Sequence, residues 1–314
     1  MDKIAVLIPC YNESKTIEKV VKDFRQALPE ATIYVYDNNS SDGTDQIARD
    51  AGAVVRYEYE QGKGNVIRRM FREIDAACYL MVDGDDTYPA AAAREMIKPV
   101  FERNVDMVIG DRLSSTYFTE NKRLFHNFGN RLTRICVNMI FKSKIKDIMT
   151  GYRAFSYQFA KTFPILSRGF EIETEMTIHA VDKNMSLENV VIEYKDRPEG
   201  SVSKLNTISD GIKVMKTIGR LWRHYKPKGF YTCVASLIAL IALALFIPLV
   251  LVPLIQSQTI SHWVTLILCA VLGVLAGISF FAGLGLDALA QKEKREFEFR
   301  LQMLENRKGS IEEQ

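Results

Sequence analysis

At 314 residues, with 25% charged side chains and a formal net charge of +3, the chain is long enough for one large α/β domain plus a further segment. It is too weakly basic for a nucleic-acid binder, which carries a dense basic stripe. The five cysteines, Cys10, Cys78, Cys136, Cys233 and Cys269, are scattered and lack CxxC spacing, so neither a disulfide framework nor a zinc site organises the chain.

The first apolar run, Lys3 to Ile8, leads straight into polar sequence and lacks the form of a signal peptide, so the large domain is expected to be cytoplasmic. Similar β-branched-rich runs follow at Thr32 to Tyr36, Ala53 to Tyr57, Cys78 to Val82 and Asp106 to Ile109, as in buried strands of a mainly parallel sheet. Between them, Ile17, Val20, Val21, Phe24 and Leu28 mark one face of a helix that Pro29 closes. Ile67, Met70, Phe71 and Ile74 repeat the pattern. Alternating strands and helices predict an α/β fold. From Gly110 to Asn206 the alternation lapses into Arg-rich and Gly-containing pieces, the character of functional loops.

From Leu205 to Tyr225 apolar residues step by three or four while Lys213, Lys216, Arg220 and Arg223 take other positions, predicting a basic amphipathic helix. It either lies in a membrane interface or packs on the core; its direct continuation into apolar sequence favours the interface. Gly229 to Leu254 and Trp263 to Leu286 each exceed the roughly 20 apolar residues that cross a bilayer core. Between Gly229 and Leu289 the only charged residue is Asp287, whereas Lys and Arg stand outside both ends, which predicts a hairpin with both ends in the cytoplasm. The expected layout is a catalytic domain over 1–206, an interface helix over 207–228, a two-helix hairpin over 229–289 and a charged, helical cytoplasmic tail over 290–314. A multi-pass protein of the cell membrane, in contact with the bilayer, would result.

The chemistry is expected just past the strand ends. Asp83-Gly84-Asp85-Asp86 follows the fourth apolar run, where open α/β sheets bind ligands. Two carboxylates there suit a hard cation, Mg²⁺ or Mn²⁺, bridging to phosphate. Alone, such an acidic turn is common. Asp37 at a strand end can accept a hydrogen bond from a base edge, Gly62 and Gly64 allow close backbone approach, and Lys63 adds positive charge. The four histidines lack metal-ligand spacing and carry no predicted role.

Taken in order, Pro9-Cys10-Tyr11-Asn12-Glu13, Asp37 to Thr44, Gly62-Lys63-Gly64 and Asp83-Gly84-Asp85 resemble the family-two inverting glycosyltransferases. That resemblance implies a GT-A (Rossmann-like) fold. Pro9, Tyr11, Asn12, Glu13, Asp37, Lys63, Asp83 and Gly84 would surround the nucleotide-sugar, and Asp83 with Asp85 would hold the metal. Asn38 and Asn39 stand where the family usually has Asp and Gly. Further on, Ile109-Gly110-Asp111-Arg112, Lys122-Arg123, Thr150-Gly151-Tyr152-Arg153 and Arg197 to Lys204 resemble the polyprenyl-phosphate glycosyltransferases, such as dolichyl-phosphate mannose synthases and undecaprenyl-phosphate glucosyltransferases. By matching position, Arg112, Arg123, Arg153, Arg197, Ser203 and Lys204 would bind a lipid phosphate. Among Glu171, Glu173 and Glu175, Glu173 is assigned the acidic position near the sugar, although all three also suit a helix start. Asp85, Arg112 and Glu173 form the expected catalytic set.

The expected reaction is inverting sugar transfer from a nucleotide-sugar, UDP-glucose foremost, to a polyprenyl phosphate. UDP-N-acetylglucosamine and GDP-mannose are alternative donors. No dedicated base is needed, because a phosphate monoester with a second pKa of about 6 is largely ionised at neutral pH. A polymerising synthase is disfavoured, since no QxxRW-type signature precedes the hairpin. The competing reading from another class is a catalytically silent scaffold. Relatives of this architecture also suggest a homo-oligomer.

Overall fold

The structure, a computed structural model, describes residues 1–115, 124–195, 207–257 and 262–312. Among the expected site residues, Arg123, Arg197, Ser203 and Lys204 lie outside these segments.

Two units divide the chain, Met1–Ile218 with Arg300–Gln314 and, separately, Gly219–Phe299. The first is built on β1 (Asp2–Cys10), α1 (Ile17–Ala27), β2 (Thr32–Asp37), α2 (Thr44–Asp50), β3 (Val54–Tyr57), α3 (Lys63–Glu73), β4 (Ala76–Met81), α4 (Ala93–Arg103) and β5 (Met107–Asp111). After α5 (Leu124–Phe141) come β6 (Arg153–Ser156), α6 (Tyr157–Thr162), α7 (Ile172–Asp182) and β7 (Leu187–Val191). The seven strands form one sheet in the order β3-β2-β1-β4-β6-β5-β7. β1 is parallel to both β2 and β4, in keeping with its uninterrupted apolar run; Ile4 to Ile8 are buried on both faces. α1 covers one face with Ile17, Val20, Val21 and Phe24.

The expected parallel order holds over the first half of the unit. It breaks at β6, which inserts antiparallel between β4 and β5 and pairs Met81 and Ile109 with Arg153. Strand β6 is four residues long and therefore left too short an apolar pattern to be read. Its insertion carries the Thr150-Gly151 segment to the ends of β4 and β5, where the acidic cluster begins.

α8 (Thr207–Tyr225) has the predicted amphipathic form. Its stripe Val214, Thr217, Ile218 and Leu221 is buried against protein, leaving Ile212 and Met215 exposed. Core packing therefore claims one face of a helix for which the sequence favoured the interface.

In the second unit, α9 (Pro227–Phe246) continues through a π-helical turn at Ile247–Leu251 into α10 (Val252–Ser257), and α11 spans Trp263–Glu312. Pro248 and Pro253 remove helix donors in that stretch, the usual origin of such local rewinding. Small residues Ala235 and Ala242 on α9, and Cys269, Ala276 and Gly283 on α11, recur every seven positions. Cys269 Sγ lies 3.5 Å from the Ala242 carbonyl, and a side chain at Gly283 would strike Tyr231 Cβ at 2.7 Å. The small residues thus form a close-packed helix seam. Pro227–Gln256 and Trp263–Leu304 are long and apolar enough to cross a membrane, and only 11% of each apolar window is buried, unlike a soluble core helix. The charged tail expected over 290–314, read from the sequence as a helix, is helical in its described part and continues α11 without a break.

Candidate active site

The carboxyl ends of β1 and β4 and the loop before α3 open on a cleft of about 340 Å³. Its walls include Pro9, Tyr11, Glu13, Lys63, Asp83 and Asp85. Phe170 and Lys213 of α8 complete it, and neither was anticipated.

Hydrogen bonds lock the loops around it. Asn12 sits at φ +53°, a left-handed conformation that asparagine tolerates; its amide N–H donates to Ser40 Oγ, and its Oδ1 accepts from Ser41 N. The Glu13 amide donates to Thr44 Oγ1, and the Thr16 hydroxyl donates to the Gly84 carbonyl at 2.7 Å. These bonds tie the loop after β1 to the loop after β2 and to the acidic cluster. Asn38 is nearly buried and accepts from Gly62 N while donating to the carbonyls of Glu58 and Glu60. An Asp there would lack the amide donor for those two carbonyls, so the departure from the family pattern shapes the loop leading to Lys63. Asp37 is buried; its Oδ1 accepts from Ser40 N, and its Oδ2 has no hydrogen-bond donor among the described residues.

Lys63 is the electrostatic centre. Its Nζ lies 2.5 Å from Asp83 Oδ1 and 2.6 Å from Glu173 Oε1, with all three side chains largely withdrawn from solvent. Burial pulls its pKa down, but the two carboxylates outweigh this and hold it above the ordinary lysine value. Close backbone packing fixes its position. Gly62 has φ +134°, and side chains at Gly62 and Gly64 would collide with the carbonyl oxygens of Arg168 and Ser167. The Gly64 amide donates to Arg168 O, and Glu175 accepts from the amides of Leu166 and Ser167. The glutamate-rich segment at the start of α7 therefore has two tasks: Glu173 pairs with Lys63, and Glu175 holds the backbone against the Gly62–Gly64 loop.

Asp85 is 4% exposed, and its Oδ1 accepts from the Thr87 amide and hydroxyl. Asp86 turns away, at φ +59°, to pair with Lys19 at 2.6 Å. Asp83 approaches Gly151 so closely that a Cβ there would meet its carboxylate. Asp83 and Asp85 line the cleft with carboxylate oxygens, the donor type that would hold Mg²⁺ or Mn²⁺. No group of three or more His, Cys, Asp or Glu suited to hold a metal occurs among the described residues.

Arg112 is 6% exposed and makes a two-pronged ion pair with Asp147, Nε to Oδ2 at 2.8 Å and NH2 to Oδ1 at 3.1 Å. Tyr88 and Tyr194 flank its guanidinium. Removing one member of such a buried pair costs about 3–5 kcal/mol. The Tyr88 hydroxyl accepts from Arg112 NH1 and from the Gly151 amide, so Arg112 connects through Tyr88 and Gly151 to Asp83. Asp147 lies 35 residues from Arg112 in sequence and gave no local signal.

Arg153 needs correction. It is fully buried, and its guanidinium donates to the carbonyls of Thr150 and Ile148 and to Thr177 Oγ1. Burial draws its pKa down to about 10. A side chain so committed braces β6 against α7 and does not face an acceptor phosphate.

Residues 5–163 match the family described as glycosyl transferase family 2. The chain is similar to glycosyltransferase AglJ of Haloferax volcanii, 34% identical over 280 residues that cover 88% of this chain and 90% of the relative. It is also similar to the dolichyl-phosphate hexose transferase of the same organism, 25% identical over 217 residues, 69% of this chain and 92% of that one. Among solved structures, glucosyl-3-phosphoglycerate synthase from Mycobacterium tuberculosis, in complex with Mn²⁺, uridine-diphosphate and phosphoglyceric acid, superposes with a TM-score of 0.57 at 17% identity, covering 70% of this chain and 78% of that one. That likeness establishes the fold as GT-A in type. With the family match over half the chain and the AglJ alignment over most of it, this chain belongs to glycosyl transferase family 2.

Proposed function

We propose that the protein transfers a hexose, with inversion, from a nucleotide-sugar to a polyprenyl phosphate at a membrane, with UDP-glucose the favoured donor. The observation that carries this reading is the cleft in which Asp83, Asp85 and Lys63 meet, linked through Gly151 and Tyr88 to Arg112. Support for the acceptor comes from the dolichyl-phosphate hexose transferase relative and from the two long apolar helices. The Mn²⁺ and uridine-diphosphate in the mycobacterial synthase support the donor class.

In this reading Asp37 Oδ2 accepts a hydrogen bond from the base, and Tyr11 and Pro9 border the nucleotide. Asp83 and Asp85 would hold a divalent cation, which when bound neutralises charge on the departing diphosphate. Lys63, kept charged by Glu173, supplies a second positive centre beside the diphosphate. Glu173 thereby acts through Lys63; its own carboxylate is committed to that lysine. Arg112, braced by Asp147, orients the acceptor phosphate. An ionised phosphate oxygen forms the new bond to the anomeric carbon as the bond to the diphosphate breaks, so no side chain has to remove a proton. Arg123, Arg197, Ser203 and Lys204 are proposed to add to acceptor binding. The basic residues beyond both apolar helices support a cell-membrane hairpin with its ends in the cytoplasm.

The test is incubation of the purified protein and Mg²⁺ or Mn²⁺ with polyprenyl phosphate and labelled UDP-glucose, UDP-N-acetylglucosamine or GDP-mannose. Label should pass to the organic phase with one donor. Absence of transfer from all three would favour the silent scaffold.

A further inference from the structure

Two aromatic side chains, Tyr11 and Phe170, are among those lining the cleft. Tyr11 follows β1, whose last carbonyl, on Cys10, accepts from Asn38 N at 2.9 Å, so this residue stands beside the loop that carries Asp37. Phe170 comes from the loop before α7, and its ring centroid lies 5.8 Å from Lys63 Nζ. Backbone bonds pin that loop: Gly64 N donates to Arg168 O at 2.9 Å, and Ser167 N donates to Glu175 Oε2 at 2.8 Å. The ring is partly buried and has no hydrogen-bonding group, so it holds an apolar surface against a cleft rich in charge.

The sheet sets the order of the subsites. Asp37 ends β2 and Asp83 stands just past β4; with β1 between them, their strands are about 10 Å apart. A nucleotide-sugar with its base at Asp37 and its diphosphate at Asp83 therefore has its hexose beyond β4, toward β6. α7 packs over β6, where Arg153 NH1 donates to Thr177 Oγ1 at 2.9 Å. Phe170, two residues ahead of α7, stands on the side where the hexose falls.

We infer that Phe170 is a specificity-determining residue whose ring forms a platform for the C–H face of the transferred hexose. A pyranose with equatorial hydroxyls offers such a face, whereas an axial hydroxyl turned toward the ring loses water and gains no partner. The inference rests on the donor reading above and is independent of the acceptor. The competing role for the ring is to shield Lys63, which a diphosphate would feel with or without a sugar attached.

Calorimetry on the purified full chain with Mn²⁺ separates the two. UDP, GDP, UDP-glucose, UDP-N-acetylglucosamine and GDP-mannose are titrated into the parent, Phe170→Ala, Phe170→Leu and Phe170→Tyr. For the donor that the parent binds, the ratio of nucleotide-sugar to nucleoside diphosphate affinity should fall roughly tenfold in Phe170→Ala and Phe170→Leu and hold in Phe170→Tyr. Tyr11→Ala, on the base side, should weaken both ligands together and leave the ratio in place. Should Phe170→Ala misfold, Phe170→Leu decides, with its affinity for the bare diphosphate as the check on folding. An unchanged ratio in Phe170→Leu overturns the inference, whether both affinities fall together, as a shield for Lys63 requires, or neither falls. A parent that binds no nucleotide-sugar overturns the donor reading and this inference with it.

Discussion

At the scale of single residues, the cleft separates side chains that carry chemistry from those that position it. Asp85→Asn keeps an Oδ1 acceptor for Thr87, so folding should be retained while a cation ligand is weakened. Transfer should fall by on the order of a hundredfold or more, and Mn²⁺ binding followed by electron paramagnetic resonance should weaken in parallel. Undiminished turnover would remove Asp85 from the proposed cation site. His179 offers a stability readout outside the cleft. It is 1% exposed against Phe159 and Phe163, and burial foremost, with nearby Lys183, pushes its pKa from 6.5 down to about 3. The unfolded chain therefore takes up a proton that the fold refuses, and stability is lost as pH falls from 6.5 toward 3, at up to about 1.4 kcal/mol per pH unit. Urea unfolding across that range should be less pH-dependent in His179→Phe than in the parent; parallel profiles would disprove the assignment. Residue types and order made part of the cleft's lining legible in the sequence: Pro9, Tyr11, Glu13, Lys63, Asp83 and Asp85 all border it. The direction of a side chain was not: Thr150-Gly151-Tyr152-Arg153 matches its motif, yet Arg153 points into the core.

Among the elements, the Gly62-Lys63-Gly64 loop and the start of α7 form one clamp, assembled from segments about a hundred residues apart. Gly64→Ala sets a methyl group against the Ser167 carbonyl, a backbone atom unable to swing aside. A loss of about 1–3 kcal/mol in chemical denaturation is expected, together with weaker donor binding as Lys63 shifts. An unchanged unfolding midpoint would mean that the 166–168 backbone yields freely. Strands β1 to β5 were readable because each is a compact apolar run flanked by turns. β6 and β7 were not, since four or five residues beside irregular loops carry little periodicity and their places depend on sheet pairing.

For the molecule as a whole, two apolar helices and flanking basic residues lead to a topology that labelling can check. Gln256→Cys should react with an impermeant maleimide in intact cells, whereas Glu293→Cys should react only after permeabilisation. The reverse pattern would place the catalytic unit on the other side of the membrane. The two long apolar helices were legible from composition alone, and so was the helical form of the charged segment after them; that this segment joins the second apolar helix without a break was not, because charge carries no mark of where one helix ends and another begins. α11 is 50 residues long, about 75 Å at the usual rise, against a hydrocarbon core of about 30 Å. Such a rod transmits rotation. Adding two residues near Gln291 would turn everything beyond them by about 200°, whereas adding four would turn it by only about 40°. The charged end of α11 is thus indexed to its apolar part by angular phase as well as by distance.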